Sequence, residues 1–255
     1  MGIDYTKEGR VAIFTINRPE ARNALNIQAN REFGEAIVDF RDDPDLWVGI
    51  VTGAGDKAFC AGADIKEMGP FILEHESREA LPRTHWRGLE LWKPLIAAIN
   101  GLTLGGGLEI ALGCDIRIAS ETARLGVPEA KLGLLPGAGG TTRLTKMLSW
   151  CKAAEMLFTG KIISAQEAYQ LELVNQVTPP DKLMSTAREW AETICESAPL
   201  AVRAIKEVMC RSLNATIDEG LRLEWTANSR LFRSEDYNEG IKALAEKRKP
   251  SFKCQ

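Results

Sequence analysis

The sequence predicts an α/β protein that ends in a purely helical part, and three observations carry that prediction. Short, uniformly apolar runs bounded by glycine, proline and asparagine recur through residues 1–180. Stretches with apolar residues at the 3.6-residue helical period separate them. Past Thr178-Pro179-Pro180 only the helical period and helix-capping signals continue. The chain thus divides into an α/β core, 1–180, and a helical region, 181–255.

Val11–Ile16 is apolar on both faces and stops at Asn17-Arg18-Pro19, the pattern of a buried strand entering a turn. A helix follows, because Ala29, Phe33, Ala36, Ile37 and Phe40 share one face, with Asn26 as N-cap and Pro44 as stop. Strands are predicted over 48–52 and 95–99, running into Gly53-Ala54-Gly55-Asp56 and Asn100-Gly101. Between them, residues 69–92 hold Pro70, Pro82, both histidines and mixed charges, which predicts a surface excursion or lid. In the helical region Asp181 is expected to cap a helix carrying Leu183, Ala187, Trp190, Ala191 and Ile194. Ser197 and Pro199 open a second helix, and 216–219 has capping-box spacing for a third carrying Leu221, Trp225 and Phe232. A fourth starts at Ser234 and closes at Lys247-Arg248-Lys249-Pro250, acids at its positive end and bases at its negative end.

Composition removes several function classes. A chain of 255 residues with 45% hydrophobic and 26% charged residues can bury a sizeable core. A formal net charge of -3 argues against sequence-independent nucleic-acid binding, which needs a concentrated basic surface. The start lacks the basic and apolar stretches of a leader, so the mature protein is expected to begin there. The longest uncharged stretch, 94–108, is shorter than the roughly 18–20 apolar residues of a membrane span. Cys60, Cys114, Cys151, Cys195, Cys210 and Cys254 show neither CxxC nor Cys/His ligand spacing, which predicts buried free thiols in a reducing cytoplasm and no structural metal.

Chemistry concentrates in glycine-rich segments. Gly137-Ala138-Gly139-Gly140-Thr141-Thr142 fails the dinucleotide pattern GxGxxG at Thr142, and no phosphate-binding GxxxxGK[ST] occurs. Leu104-Gly105-Gly106-Gly107-Leu108-Glu109 follows a strand and enters a helix-forming stretch, so free N–H groups there can serve an oxyanion. Glu109 falls in the first turn of that helix. Glu129 follows Pro128 at another expected helix start. Each glutamate alone is explained by the helix dipole, whereas two carboxylates flanking a donor loop can divide acid and base work.

Four blocks carry a resemblance: 58–68 (AFCAGADIKEM), 93–101 (KPLIAAING), 105–109 (GGGLE), and Pro128-Glu129 with Gly133 through Gly140. In order and spacing they resemble the enoyl-CoA hydratase/isomerase (crotonase) family, from Asn17-Arg18-Pro19 to Glu246-Lys247-Arg248-Lys249. The resemblance implies a crotonase-like spiral of ββα units with a helical C-terminal trimerisation region. It also implies an oxyanion hole from the N–H groups of Ala63 and Gly106. Glu109 and Glu129 match the pair of glutamates found in the family's hydratases. For coenzyme A it points to Ala21, Arg22, Ala61, Asp64, Ile65 and Lys66, with Lys247 arriving from a neighbouring subunit. Glu20 and Leu244 depart from residues some relatives carry at the nucleotide end, Lys and Phe respectively.

The expected function is hydration of a 2-enoyl-CoA to a 3-hydroxyacyl-CoA in a homotrimer or dimer of trimers. No cofactor is expected beyond the coenzyme A of the substrate. Δ3,Δ2-Enoyl-CoA isomerisation, hydration of a specialised dienoyl or functionalised acyl-CoA, and a non-catalytic acyl-CoA-binding subunit are the alternatives. His75 and His85 are expected to be solvated surface residues. Phe71, Ile72, Trp86 and Leu89 are the candidates for the acyl group.

Overall fold

A computed structural model describes residues 2–75 and 80–255. The chain opens with an antiparallel hairpin of β1 (Ile3–Glu8) and β2 (Val11–Ile16), followed by α1 (Ile27–Asp42). The Asn26 side chain accepts from the Ala29 N–H at 2.9 Å, the N-cap expected from its position, and Phe33, Ile37 and Phe40 face inward. Next come β3 (Val48–Gly53), β4 (Ala58–Cys60) and α2 (Ile65–His75), then β5 (Leu95–Ile99), β6 (Leu102–Leu104) and α3 (Gly106–Gly113). β7 (Ile116–Ser120) and β8 (Arg124–Gly126) lead through a 3-10 turn, Pro128–Leu132, to α4 (Gly140–Met147) and α5 (Trp150–Thr159). β9 (Ile162–Ser164), α6 (Ala165–Gln170) and β10 (Gln176–Thr178) complete the α/β part. The helices α7 (Leu183–Cys195), α8 (Pro199–Ser212), α9 (Ile217–Leu231) and α10 (Glu235–Glu246) follow.

The strands sort into two sheets in a way that makes a spiral. The six-stranded sheet has the order β1-β2-β3-β5-β7-β10 and the four-stranded sheet β4-β6-β8-β9. Each of the pairs β3/β4, β5/β6 and β7/β8 gives its first strand to the larger sheet and its second to the smaller. Successive turns stack by parallel pairing within both sheets. All six residues of β3 are buried, because Val51 packs into the main core and Val48 and Ile50 pack against α7 on the other face. That two-sided burial is why the run is apolar without alternation. α7 thereby ties the C-terminal helices to the sheet through Leu183, Ala187 and Ala191.

Several sequence expectations need correction. Asp181 does not cap α7: the Pro179-Pro180 pair sets up a 3-10 turn, Pro180–Lys182, and α7 starts after it without a side-chain cap. Residues 69–92 are not wholly a surface excursion. α2 continues to His75 with Pro70 inside it, and Thr84, His85, Trp86 and Leu91 are buried. His85 is therefore a core residue, only 7% exposed, and burial pushes its pKa down to about 3, so the ring is neutral. Cys60 and Cys114 are buried thiols, but Cys151 and Cys210 are exposed and Cys195 and Cys254 lie between. Among the described residues, no helix is long and apolar enough to cross a membrane.

Candidate active site

Two strands of the smaller sheet end side by side and create a pair of unspent main-chain donors. After β4 the chain is laced to the turn behind β2: the Ala61 N–H donates to Arg22 O, Leu25 to Gly62 O, and Asp64 to Leu25 O. Ala63 lies between these bonds, and neither its N–H nor that of Gly106 finds a protein acceptor among the described residues. Gly106 is the first residue of α3, where an N–H has no intrahelical partner. Gly62, at φ 102°, makes the approach possible, since a Cβ there would stand 2.9 Å from Leu104 O and 3.4 Å from Gly106 N. An oxygen between Ala63 and Gly106 can accept from both.

Glu109 sits one turn into α3 and is 3% exposed. Its Oε1 accepts from the Ala138 N–H at 2.6 Å and the Gly140 N–H at 2.8 Å, donors at the entry to α4. Arg143 of α4 holds that hook in place, donating from one terminal nitrogen to Ala138 O at 3.1 Å and to Trp86 O at 3.2 Å. The charge of Glu109 is felt at both Arg87 and Arg143. Two N–H donors on one oxygen fix the carboxyl group in one orientation.

Glu129 has a different environment. It lies on the 3-10 turn Pro128–Leu132, a single turn rather than the longer helix start expected from sequence, and Gly133 in the left-handed region ends it. The Glu129 Oε2 is buried without a hydrogen-bond partner among the described residues. Burial, and less strongly the nearby charge of Glu109, raise its pKa above the ordinary carboxylate range. That shift favours the protonated form of Glu129.

The residues expected to hold coenzyme A fall into two places. Ala21 and Arg22, at the end of the 3-10 turn Pro19–Ala21, lie beside Ala61 through the Arg22 carbonyl bond. Asp64, Ile65 and Lys66 follow at the start of α2, with Ile65 63% exposed. The Asp64 carboxylate is held by Arg18 at 3.2 Å, which braces the two segments together. Lys247 lies elsewhere in the chain. It ends α10, whose following segment reaches Arg10 through the Phe252 carbonyl, at the opposite end of β2 from Arg18.

His75 is exposed, as expected, and its ring bonds Phe71 O. Trp86 packs edge-on against Phe33 at 4.9 Å between centroids. The residues that sequence reasoning missed are Ala138 and Gly140, which grip Glu109, and Arg143 behind them. Their signal was the run Gly137 to Gly140, whose glycines serve a carboxylate and not a nucleotide. Among the described residues no three His, Cys, Asp or Glu side chains gather as a metal site.

Residues 6–255 match the family described as Enoyl-CoA hydratase/isomerase. This chain belongs to that family. Among curated enoyl-CoA hydratase/isomerase relatives it is 45% identical over 245 residues to the short-chain-enoyl-CoA hydratase of Clostridium acetobutylicum, covering 95% of this chain and 94% of that one. It is 41% identical to the crotonyl-CoA hydratase of Syntrophomonas wolfei, with 96% and 95% covered. The crystal structure of an enoyl-CoA hydratase from Bacillus anthracis superposes with a TM-score of 0.92 at 37% identity, covering 100% of both chains. The spiral of two sheets described above is therefore the enoyl-CoA hydratase/isomerase fold, present over its full extent.

Proposed function

We propose that this chain hydrates 2-enoyl-CoA thioesters to 3-hydroxyacyl-CoA. The observation that supports the reading is geometric: Glu109 is gripped by two main-chain N–H groups and Glu129, with one oxygen buried and unpartnered among the described residues, lies against Gly105, next to the unspent Gly106 N–H. Water adds at Cβ only if the charge arriving on the thioester oxygen is stabilised. The N–H groups of Ala63 and Gly106 suit that oxygen, each contributing roughly 3 kcal/mol to the transition state. Glu109, gripped by the Ala138 and Gly140 N–H groups, orients water and takes its proton. Glu129, whose burial favours the protonated form, delivers a proton to Cα. Hydration exchanges no electrons, so the chemistry asks for no redox group.

Substrate grip and assembly belong to the same proposal. The segments around Ala21-Arg22 and Ala61 to Lys66 form the main coenzyme A cradle, and Lys247 serves the site of a neighbouring subunit in a homotrimer or dimer of trimers. The reading is supported by the distance of Lys247 from the cradle within one chain and by the apolar residues that α8 to α10 expose, among them Met209, Leu221, Trp225 and Leu244.

The test is turnover of crotonyl-CoA, followed by loss of the conjugated thioester absorbance. Glu109→Gln and Glu129→Gln should each lower kcat by about 10²-fold or more while binding of a CoA ester is kept. Full hydration by either variant would replace the two-carboxylate reaction with a single-base one such as isomerisation.

A further inference from the structure

The turn behind β2 is closed by one buried side chain. Asn23 is fully buried and holds φ 58°, in the left-handed region that asparagine tolerates better than most residues. Its N–H donates to Arg18 O at 2.8 Å and its Oδ1 accepts from the Arg18 N–H at 3.0 Å, which shuts the turn on itself. The side-chain amide then reaches across to the next turn of the spiral. Nδ2 donates to Ala54 O at 3.0 Å and to Ala58 O at 2.7 Å, on either side of the corner between β3 and β4, so both of its hydrogens are used.

This joint carries the Ala63 N–H. Residues flanking Asn23 hold the chain on both sides of Ala63: Arg22 O accepts from the Ala61 N–H at 3.0 Å, the Leu25 N–H donates to Gly62 O at 2.8 Å, and Leu25 O accepts from the Asp64 N–H at 2.9 Å. Leu25 and Ala63 thereby pair as an isolated parallel bridge. The Gly62 C=O and the Ala63 N–H belong to one planar trans peptide and point in opposite directions. The bond from Leu25 to Gly62 O therefore aims the Ala63 N–H away from the turn, where it meets no protein acceptor among the described residues. A turn released from the β3–β4 corner would let that peptide rock while leaving the N–H present. A donor stabilises developing charge only when it is aimed before the charge arrives.

We propose that Asn23 is a positioning residue for hydration: it fixes the turn through which Leu25 orients the Gly62–Ala63 peptide, and so keeps the Ala63 N–H pre-aimed at the thioester oxygen. The inference rests on the oxyanion hole of the hydratase reading.

Asn23→Gly removes the amide and leaves the left-handed backbone free of strain. With crotonyl-CoA, below the variant's melting temperature, kcat should fall about 10-fold while KM changes by less than about threefold, because a misaimed donor weakens the transition state more than the ground state. The readout that a merely structural role would not move is the acidity of bound acetoacetyl-CoA, whose enolate places charge on the thioester oxygen and is followed by its near-ultraviolet absorbance. The wild type should lower the apparent pKa of this ligand below its value in water, and Asn23→Gly should raise it again by about 1, matching the loss in kcat. A lower melting temperature with kcat and enolate acidity unchanged would overturn the proposal and leave Asn23 a residue of the fold alone. A raised KM at unchanged kcat would overturn it in favour of coenzyme A binding. Asn23→Asp, equal in size and still able to accept from the Arg18 N–H, turns both amide donors into an acceptor and should show the same losses, which decides the question if the glycine variant does not fold. A wild type that favours the enolate no more than water does would remove the oxyanion hole itself, a failure of the hydratase reading that is seen without any variant.

Discussion

The carboxyl group of Glu129 lies against Gly105, so close that a Cβ at residue 105 would stand 2.7 Å from Oε1. Gly105 also holds φ 52° and ψ -122° at the mouth of α3, a conformation L side chains rarely adopt. Gly105→Ala should therefore displace Glu129 and strain the turn that presents the Gly106 N–H. We expect kcat for crotonyl-CoA to fall at least 10-fold and thermal stability to drop by about 1–3 kcal/mol. A variant with wild-type kcat would show that neither Glu129 nor the turn needs this spacing.

Glu129 should be a stability cost. Its folded pKa lies above that of the unfolded chain, so between the two values the folded state binds more protons and stability falls as pH rises. Glu129→Gln removes the ionisation. The variant should melt higher than wild type above the folded pKa, and the gain should vanish in acid below the ordinary carboxylate pKa. Thermal melts across pH check this, and a gain independent of pH would contradict it.

The proposed main-chain oxyanion hole predicts that the two donor positions respond unequally to substitution. Ala63→Ser keeps its N–H and should be mild, whereas Gly106→Pro deletes a donor and should lower kcat about 10²-fold or more. Circular dichroism separates a lost donor from a lost fold. A well-folded Gly106→Pro with undiminished turnover would place the thioester oxygen elsewhere.

Much of this site was readable in the residues, and what was hidden has physical causes. The buried runs of β2, β3 and β5 and the Asn26 cap announce themselves because one interaction dominates each. The capping box at Thr216 and Glu219 is formed as its spacing required. β1 was not evident, because it is an edge strand whose inward face holds only Ile3 and the half-buried Tyr5, an alternation too short to stand out. β4, β6, β8 and β9 are three residues long each, too short for any period, yet together they make the second sheet. His85 looked like a surface residue because its neighbours in sequence are polar, while its neighbours in space are Phe33, Trp86 and Cys114. The glycines that grip Glu109 were visible as a run but not as a carboxylate site, since the contact joins residues distant in sequence.

The apolar residues that α8 to α10 leave outside should be covered by other copies of the chain. Light scattering at micromolar concentration should give a trimer or hexamer mass. Trp225, 72% exposed on α9, is the residue to perturb: Trp225→Glu should lower the assembled mass, and a monomeric wild type would remove the premise.

The spiral has a consequence for how activity is acquired. Ala63 and Gly106 follow strands on successive turns, Glu129 follows a strand of the next, and the hook on Glu109 comes later still. None of these partners is local, so each turn must dock on the one before it, and contacts of this kind form slowly. During refolding, helical signal should return ahead of turnover. A chain with its helices formed but its turns undocked would be compact, without turnover, and exposed to proteases that the finished molecule resists.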